Sequence, residues 1–174
     1  MNSIKSVCIY CASSTQIDES YFHAAKQLGT LLANKGIHMI NGAGSIGLMR
    51  TVSDAALEAG GQVTGVIPSF MVEQGWHHKN LSKLHITATM HERKQLMADL
   101  SEGIIALPGG CGTMEELLEA ITWKQLGLYL QPFVRDASTG CRTTIHASTA
   151  HGHLANSLNS RRGRKPIVDN SPMG

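Results

Sequence analysis

The chain has 174 residues, of which 42% are hydrophobic and 16% charged, with a formal net charge of +2. That length fits one domain with a sizeable core, and the balance excludes the low-apolar, highly charged composition of a disordered protein. The charge also speaks against nucleic acid as a partner: residues 1–130 carry 9 Lys and Arg against 11 Asp and Glu, and the excess comes from a terminal cluster of Arg161, Arg162, Arg164 and Lys165 that reads as a solvated end.

Residues 5–11 form a compact apolar run ending at Ala12-Ser13-Ser14-Thr15, the pattern of a buried parallel strand and its loop. Asp18 and Glu19 open a helix over 18–35, with Phe22, Ala25, Leu28 and Leu32 at helical spacing and Gly36 as its stop. A strand at 37–40, a helix from Ile46 to Ala59 punctuated by Gly60-Gly61, and a strand at 62–67 ending at Pro68 continue the alternation. After an irregular stretch through Trp76 come a strand at 84–88, a helix at 90–100 and a strongly apolar strand at 103–107. A helix from about Thr113 to Leu128 follows, with Leu117, Ile121 and Leu128 toward a core and Glu115, Glu116 and Glu119 in its first two turns. This order predicts an α/β fold, a doubly wound parallel sheet with helices on both faces.

Pro108-Gly109-Gly110-Cys111-Gly112-Thr113 lies between a buried strand and a helix. Glycines there let backbone N–H groups approach an anion without Cβ clashes, the helix start adds unpaired donors, and Thr113 adds a hydroxyl, so the loop predicts phosphate or ribose binding. A second cluster, Gly42-Ala43-Gly44-Ser45-Ile46-Gly47, matches the G-x-G-x-x-G pattern. Dinucleotide binding also wants an acidic residue about 20 positions on, where this chain has Val66, Ile67, Pro68 and Ser69, which speaks against NAD. Arg93 and Lys94 sit at a helix start, where cations are unfavourable unless an anion compensates, so both are expected to face a ligand.

Cys8-x-x-Cys11 falls inside a predicted strand without a second pair, and His77, His78, His146, His151 and His153 are expected at the surface, so neither set predicts a metal or redox site. Four cysteines, counting Cys111 and Cys141, are too few for a secreted disulfide framework. No stretch approaches the roughly 20 apolar residues of a membrane helix. The expectation is a cytoplasmic protein with reduced thiols.

Together, Cys11-Ala12-Ser13-Ser14, Gly44-Ser45-Ile46-Gly47-Leu48-Met49, Met90-His91-Glu92-Arg93-Lys94, Pro108 through Glu116 and Ile121-Thr122-Trp123 resemble the LOG (Lonely Guy) family over residues 5 to about 130. The resemblance implies a Rossmann-like homodimer that hydrolyses the N-glycosidic bond of a nucleoside 5′-monophosphate. The products are a free base and ribose 5-phosphate, and no metal or organic cofactor takes part. The family's members are cytokinin riboside 5′-monophosphate phosphoribohydrolases, and bacterial relatives are often described as AMP nucleosidases. By motif position the resemblance implies catalytic roles for Arg93 and Glu116. It implies substrate contacts for Ser13, Gly44, Ser45, Lys94, Gly109, Gly110, Gly112, Thr113, Glu115 and Thr122, with Glu73 only loosely aligned to a further binding glutamate.

Such a bond cleavage develops oxocarbenium character, which a carboxylate such as Glu116 stabilises while orienting or deprotonating water. Arginine stays protonated and so serves as a charge-assisted donor to phosphate or ribose oxygens. Two rival readings are a non-catalytic carrier of nucleotides or phosphorylated cofactors, and an amino-acid decarboxylase. The decarboxylase would need a pyridoxal phosphate lysine, for which no context is evident. The chain departs from the family pattern at Asn41, Ala43 and Arg50, which bears on substrate preference. From Gln131 onward Ser, Thr, His, Arg, Asn and Gly dominate without a helical or strand period. Residues 131–174 are therefore set apart as an atypical tail, the expected product of a frame change or truncation, with no stable element assigned.

Overall fold

The computed structural model describes residues 4–135. In chain order the elements are β1 (Ser6–Tyr10), α1 (Glu19–Asn34), β2 (His38–Asn41), α2 (Gly47–Glu58), β3 (Val63–Pro68), α3 (Ser69–Glu73), β4 (Lys83–Thr87), α4 (Met90–Asp99), β5 (Ile104–Ala106), α5 (Cys111–Gln125) and β6 (Phe133–Arg135). The six strands form one sheet in the order β4-β3-β2-β1-β5-β6, and every pairing is parallel. The α/β doubly wound reading therefore holds.

Alternation along each strand divides the core into two layers. Val7, Ile9 and Cys11 face one side, where Ala25 and Leu32 of α1 and Leu48, Val52 and Ala56 of α2 cover them. Cys8 and Tyr10 face the other, against Met97 and Ala98 of α4 and Leu117 and Ala120 of α5. Burial on both faces is what parallel strands require, because crossover helices lie on each side of the sheet. No helix among the described residues is long and apolar enough to cross a membrane.

The chain winds outward from β1 through β2, β3 and β4, then crosses back to β5 on the opposite flank of β1. The loops after β1 and β5 therefore leave the sheet in opposite directions, and a crevice opens at their carboxyl ends, where α/β sheets bind ligands.

Four expectations need correction. Residues 69–73 form the short helix α3 inside the stretch read as irregular. Phe133–Arg135 forms β6 on β5, so regular structure extends past Gln131; residues 136–174 of the proposed tail lie outside the described residues. Leu128 lies beyond the end of α5 and is exposed, whereas Leu117 is buried and Ile121 packs against the core. His78 is buried, not at the surface, because its ring is claimed by Asp54 of α2.

Candidate active site

The helix starts are of two kinds, capped in α1 and α4 and uncapped in α2, α5 and the one-turn α3. Asp18 caps α1 by accepting from the Ser20 N–H, and Thr89 caps α4 by accepting from the Glu92 N–H while Glu92 accepts from the Ala88 N–H. This reciprocal pair satisfies the end of α4 within the chain. By contrast α2 and α5, the helices that follow the two glycine clusters, have no side-chain cap and no acidic residue in the first turn. The Met49 N–H of α2 donates to the Ala12 carbonyl; the other leading N–H groups of these two helices are left for a partner, and an anion is the partner that the partial positive charge of a helix start favours.

The loop before α5 shows why glycine is needed. A Cβ on Gly109 would stand 2.1 Å from the Thr113 hydroxyl oxygen, so Thr113 folds back onto the glycine and becomes buried. At Gly110 and Gly112 a Cβ would meet nothing within 4 Å, and both residues are exposed along with Cys111. The loop is thus tight on its protein side and open on the other.

The loop after β2 is held by a buried network. Asn41 accepts from the Ala43 N–H at 2.9 Å and donates to the Ser53 hydroxyl at 2.8 Å, and Ser53 in turn donates to the Met49 carbonyl. The network supports Ala43 at φ 58°, a left-handed conformation costly for a residue with a Cβ. The segment after α3 braces the same loop: the Ser45 N–H donates to the Trp76 carbonyl and the His78 N–H to the Ala43 carbonyl. His78 is itself fixed by Nε2 to Asp54 at 2.7 Å and by the Asn80 N–H at its Nδ1.

Arg93 and Glu116 meet in the space between these loops. Arg93 donates through Nη1 to Glu116 Oε1 at 2.7 Å and through Nε to the Val66 carbonyl at 3.1 Å, and both side chains are more than 90% buried. Gly42 makes room for the guanidinium, since a Cβ there would stand 1.9 Å from Arg93 Nη2. Burial holds the Glu116 carboxyl above the ordinary glutamate range, and the attraction of Arg93 offsets only part of that. Burial also keeps the neighbouring Cys8, Cys11 and Tyr10 protonated, so the carboxylate is the ionising group on that wall.

Lys94, next along α4, places its ammonium 2.5 Å from Glu115 Oε1 and 2.9 Å from Glu119 Oε2 of α5. Burial opposes its charge, but the hydrogen bonds to both carboxylates outweigh that and hold its pKa above the usual lysine value.

The fold thus brings together Arg93, Lys94, Glu115 and Glu116, with Gly109, Gly110, Gly112 and Thr113 at the head of the same helix that carries the two glutamates. Ser13 is exposed on the loop after β1, and Gly44 and Ser45 are half-buried on the loop after β2. Thr122 lies two turns beyond Glu115, exposed, with its hydroxyl donating to the Leu118 carbonyl inside α5. Glu73 ends α3, exposed, and no ion pair joins it to this cluster among the described residues. Sequence reasoning named Asn41 only as a departure from the family pattern and Gly42 only as one of a glycine cluster; it missed the contacts of Asn41 with Ser53 and Ala43, the seat Gly42 makes for Arg93, and the Asp54–His78 pair. Their only sequence signal is an asparagine directly before the glycine cluster.

Comparison with known proteins places this geometry in context. Residues 49–135, half of the chain, match a family model described as possible lysine decarboxylase. The chain is 44% identical over 131 residues to the cytokinin riboside 5′-monophosphate phosphoribohydrolase LOG1 of Arabidopsis thaliana, covering 75% of this chain and 62% of that protein. It is 42% identical over 131 residues to the cytokinin riboside 5′-monophosphate phosphoribohydrolase of Rhodococcoides fascians, covering 75% and 66%. The chain thus spans about six tenths of the length of the curated relatives it matches. Among solved structures, the Moco carrier protein from Chlamydomonas reinhardtii shares the fold, with a TM-score of 0.62 at 24% identity, covering 75% of this chain and 74% of that one. The family model's description suggests pyridoxal phosphate chemistry, which these residues do not fit: Lys94, the one buried lysine among the described residues, commits its ammonium to two carboxylates. On the family-model match over residues 49–135, which takes in the glycine loop before α5, and on 42–44% identity over 75% of the chain, the chain belongs to the LOG family.

Proposed function

We propose that this protein hydrolyses the N-glycosidic bond of nucleoside 5′-monophosphates, cytokinin riboside 5′-monophosphate or AMP, to a free base and ribose 5-phosphate. The observation that carries the reading is the buried Arg93–Glu116 pair beside an uncapped glycine-loop helix start. In this reading the amides of Gly109 through Thr113 take the phosphate, and Gly44, Ser45 and Ser13 close the opposite wall. Glu116 faces the anomeric carbon, stabilises the oxocarbenium charge as the base departs, and orients the attacking water and takes its proton. Arg93 stays cationic throughout and fixes the carboxylate while presenting its remaining N–H groups to ribose or phosphate oxygens. No cofactor is required for these steps.

Incubating the purified protein with AMP and with its N6-isopentenyl analogue tests the reading. Equal amounts of free base and ribose 5-phosphate are expected, and the ratio of the two rates ranks the substrates. Tight binding of either monophosphate without any base release would instead establish a carrier.

A homodimer is part of the same proposal. Leu118, Leu126, Leu128 and Leu130 leave an apolar row along and beyond α5, each more than half exposed, and such a row favours a covering partner. Sedimentation equilibrium is expected to give twice the chain mass, and a monomer at micromolar concentration would refute it. Free thiols at Cys8, Cys11 and Cys111 support a reducing, cytoplasmic setting.

A further inference from the structure

Two cations and three carboxylates meet where α4 faces α5, and the cations are not equivalent. Arg93 serves one carboxylate and a backbone carbonyl. Lys94 is held between two carboxylates and its side chain is 7% exposed, while Glu115 beside it remains 56% exposed and Glu119 26%. A lysine ammonium has three N–H donors, and two of these are occupied. A phosphate approaching Lys94 would have one remaining donor to use, on a side chain almost wholly buried, and would lie beside two like charges. The uncapped start of α5, with its open space at Gly110 and Gly112, imposes neither cost.

We propose that Lys94 is a positioning residue: by pairing with Glu115 and Glu119 it holds the acidic wall of the site ionised and aimed at the ribose, and it does not bind the phosphate. This rests on the hydrolase reading. Five ionised groups then leave the wall with one net negative charge, which suits the positive charge developing on the sugar. The half-exposed Glu115 carboxylate retains lone pairs for ribose hydroxyls. Glu116 lies within the field of three of these groups, Arg93 and Lys94 from α4 and Glu115 from α5, whereas Glu119 pairs with Lys94. The groups facing it from β1, Cys8 and Tyr10, and Cys11 just beyond the end of that strand, are neutral. Removing Lys94 alone leaves three carboxylates with one cation, and their mutual repulsion must raise the proton affinity of Glu116.

The test uses the full chain with 13C-labelled glutamate carboxyls, as wild type, Lys94→Met and the doubly substituted Lys94→Met/Glu115→Gln, since Glu115 is the carboxylate whose charge raises Glu116. Inorganic phosphate and ribose 5-phosphate are titrated into each by calorimetry. In Lys94→Met the Glu116 titration is expected to move to higher pH while affinity for both anions stays within about threefold of wild type. The double variant restores the cluster's net charge and is expected to bring the Glu116 titration back toward wild type. A loss of about tenfold or more in phosphate affinity, with Glu116 titrating as in wild type, would make Lys94 a phosphate ligand and overturn the proposal. So would a double variant that fails to restore the titration. Should Lys94→Met alone not fold, the charge-balanced double variant still decides the phosphate question. Neither readout needs turnover, so a wild type that releases no base refutes the hydrolase reading and leaves the role of Lys94 separately measurable.

Discussion

Replacing Glu116 with glutamine is expected to lower the rate of base release by about 10²–10⁴-fold, the range a positioned carboxylate contributes to proton transfer. Glutamine keeps the size of the side chain, and its carbonyl still accepts the Arg93 hydrogen bond, so circular dichroism and monophosphate binding are expected to stay near wild type. What is lost is the negative charge opposite the oxocarbenium and the site that takes the proton from water. The pH dependence carries the same signature. Because burial raises the Glu116 pKa, wild-type turnover is expected to fall on acidification at a pH above the ordinary glutamate range. The residual activity of the variant is expected to lack that limb. A Glu116→Gln protein retaining about a tenth or more of the wild-type rate would remove Glu116 from the chemistry.

Replacing Arg93 with methionine is expected to affect stability as strongly as activity. The side chain is seated on Gly42, bonded to the Val66 carbonyl and paired with a buried carboxylate. Losing one partner of such a pair costs about 3–5 kcal/mol, because the other charge stays buried without compensation. Glu116 then prefers its protonated form still more strongly, and a carboxyl whose folded pKa is raised stabilises the fold at low pH and loses that contribution as pH rises through the folded pKa. Urea unfolding at about pH 5 and about pH 8 should therefore show the larger deficit at the higher pH. Adding Glu116→Gln to Arg93→Met should recover much of it. A deficit equal at both pH values would mean that the lost interactions are packing and the bond to Val66, not the charge pair.

The parts legible in the sequence are those whose signal is local. Apolar runs of strand length alternating with amphipathic helices predicted β1 through α5 to within a few residues, except α3, which at five residues is barely one turn and shows no helical period. The three-residue β6 escaped for a similar reason: an edge strand that short has no alternation of its own, and its place comes from pairing with β5. Gly109 through Thr113 read as a ligand loop because glycines between an apolar strand and a helix have few other uses.

Within the site, the sequence could supply residue types but not their partners. Arg93 and Lys94 are adjacent in the chain, and both were expected to face a ligand. The structure gives them different partners, Glu116 for one and Glu115 with Glu119 for the other, because successive residues of a helix point in different directions. Gly42 was one glycine among several until the Arg93 guanidinium was found against it, and His78 read as a surface residue until Asp54, 24 positions away, took up its ring. The sequence by itself determined the fold class, the two glycine loops and the identity of the charged groups, since propensity, periodicity and turn chemistry act over a few residues. Only the tertiary structure decided which charges pair, which are buried and which helix starts are left uncapped, since those depend on contacts between distant segments that the parallel sheet brings to one edge.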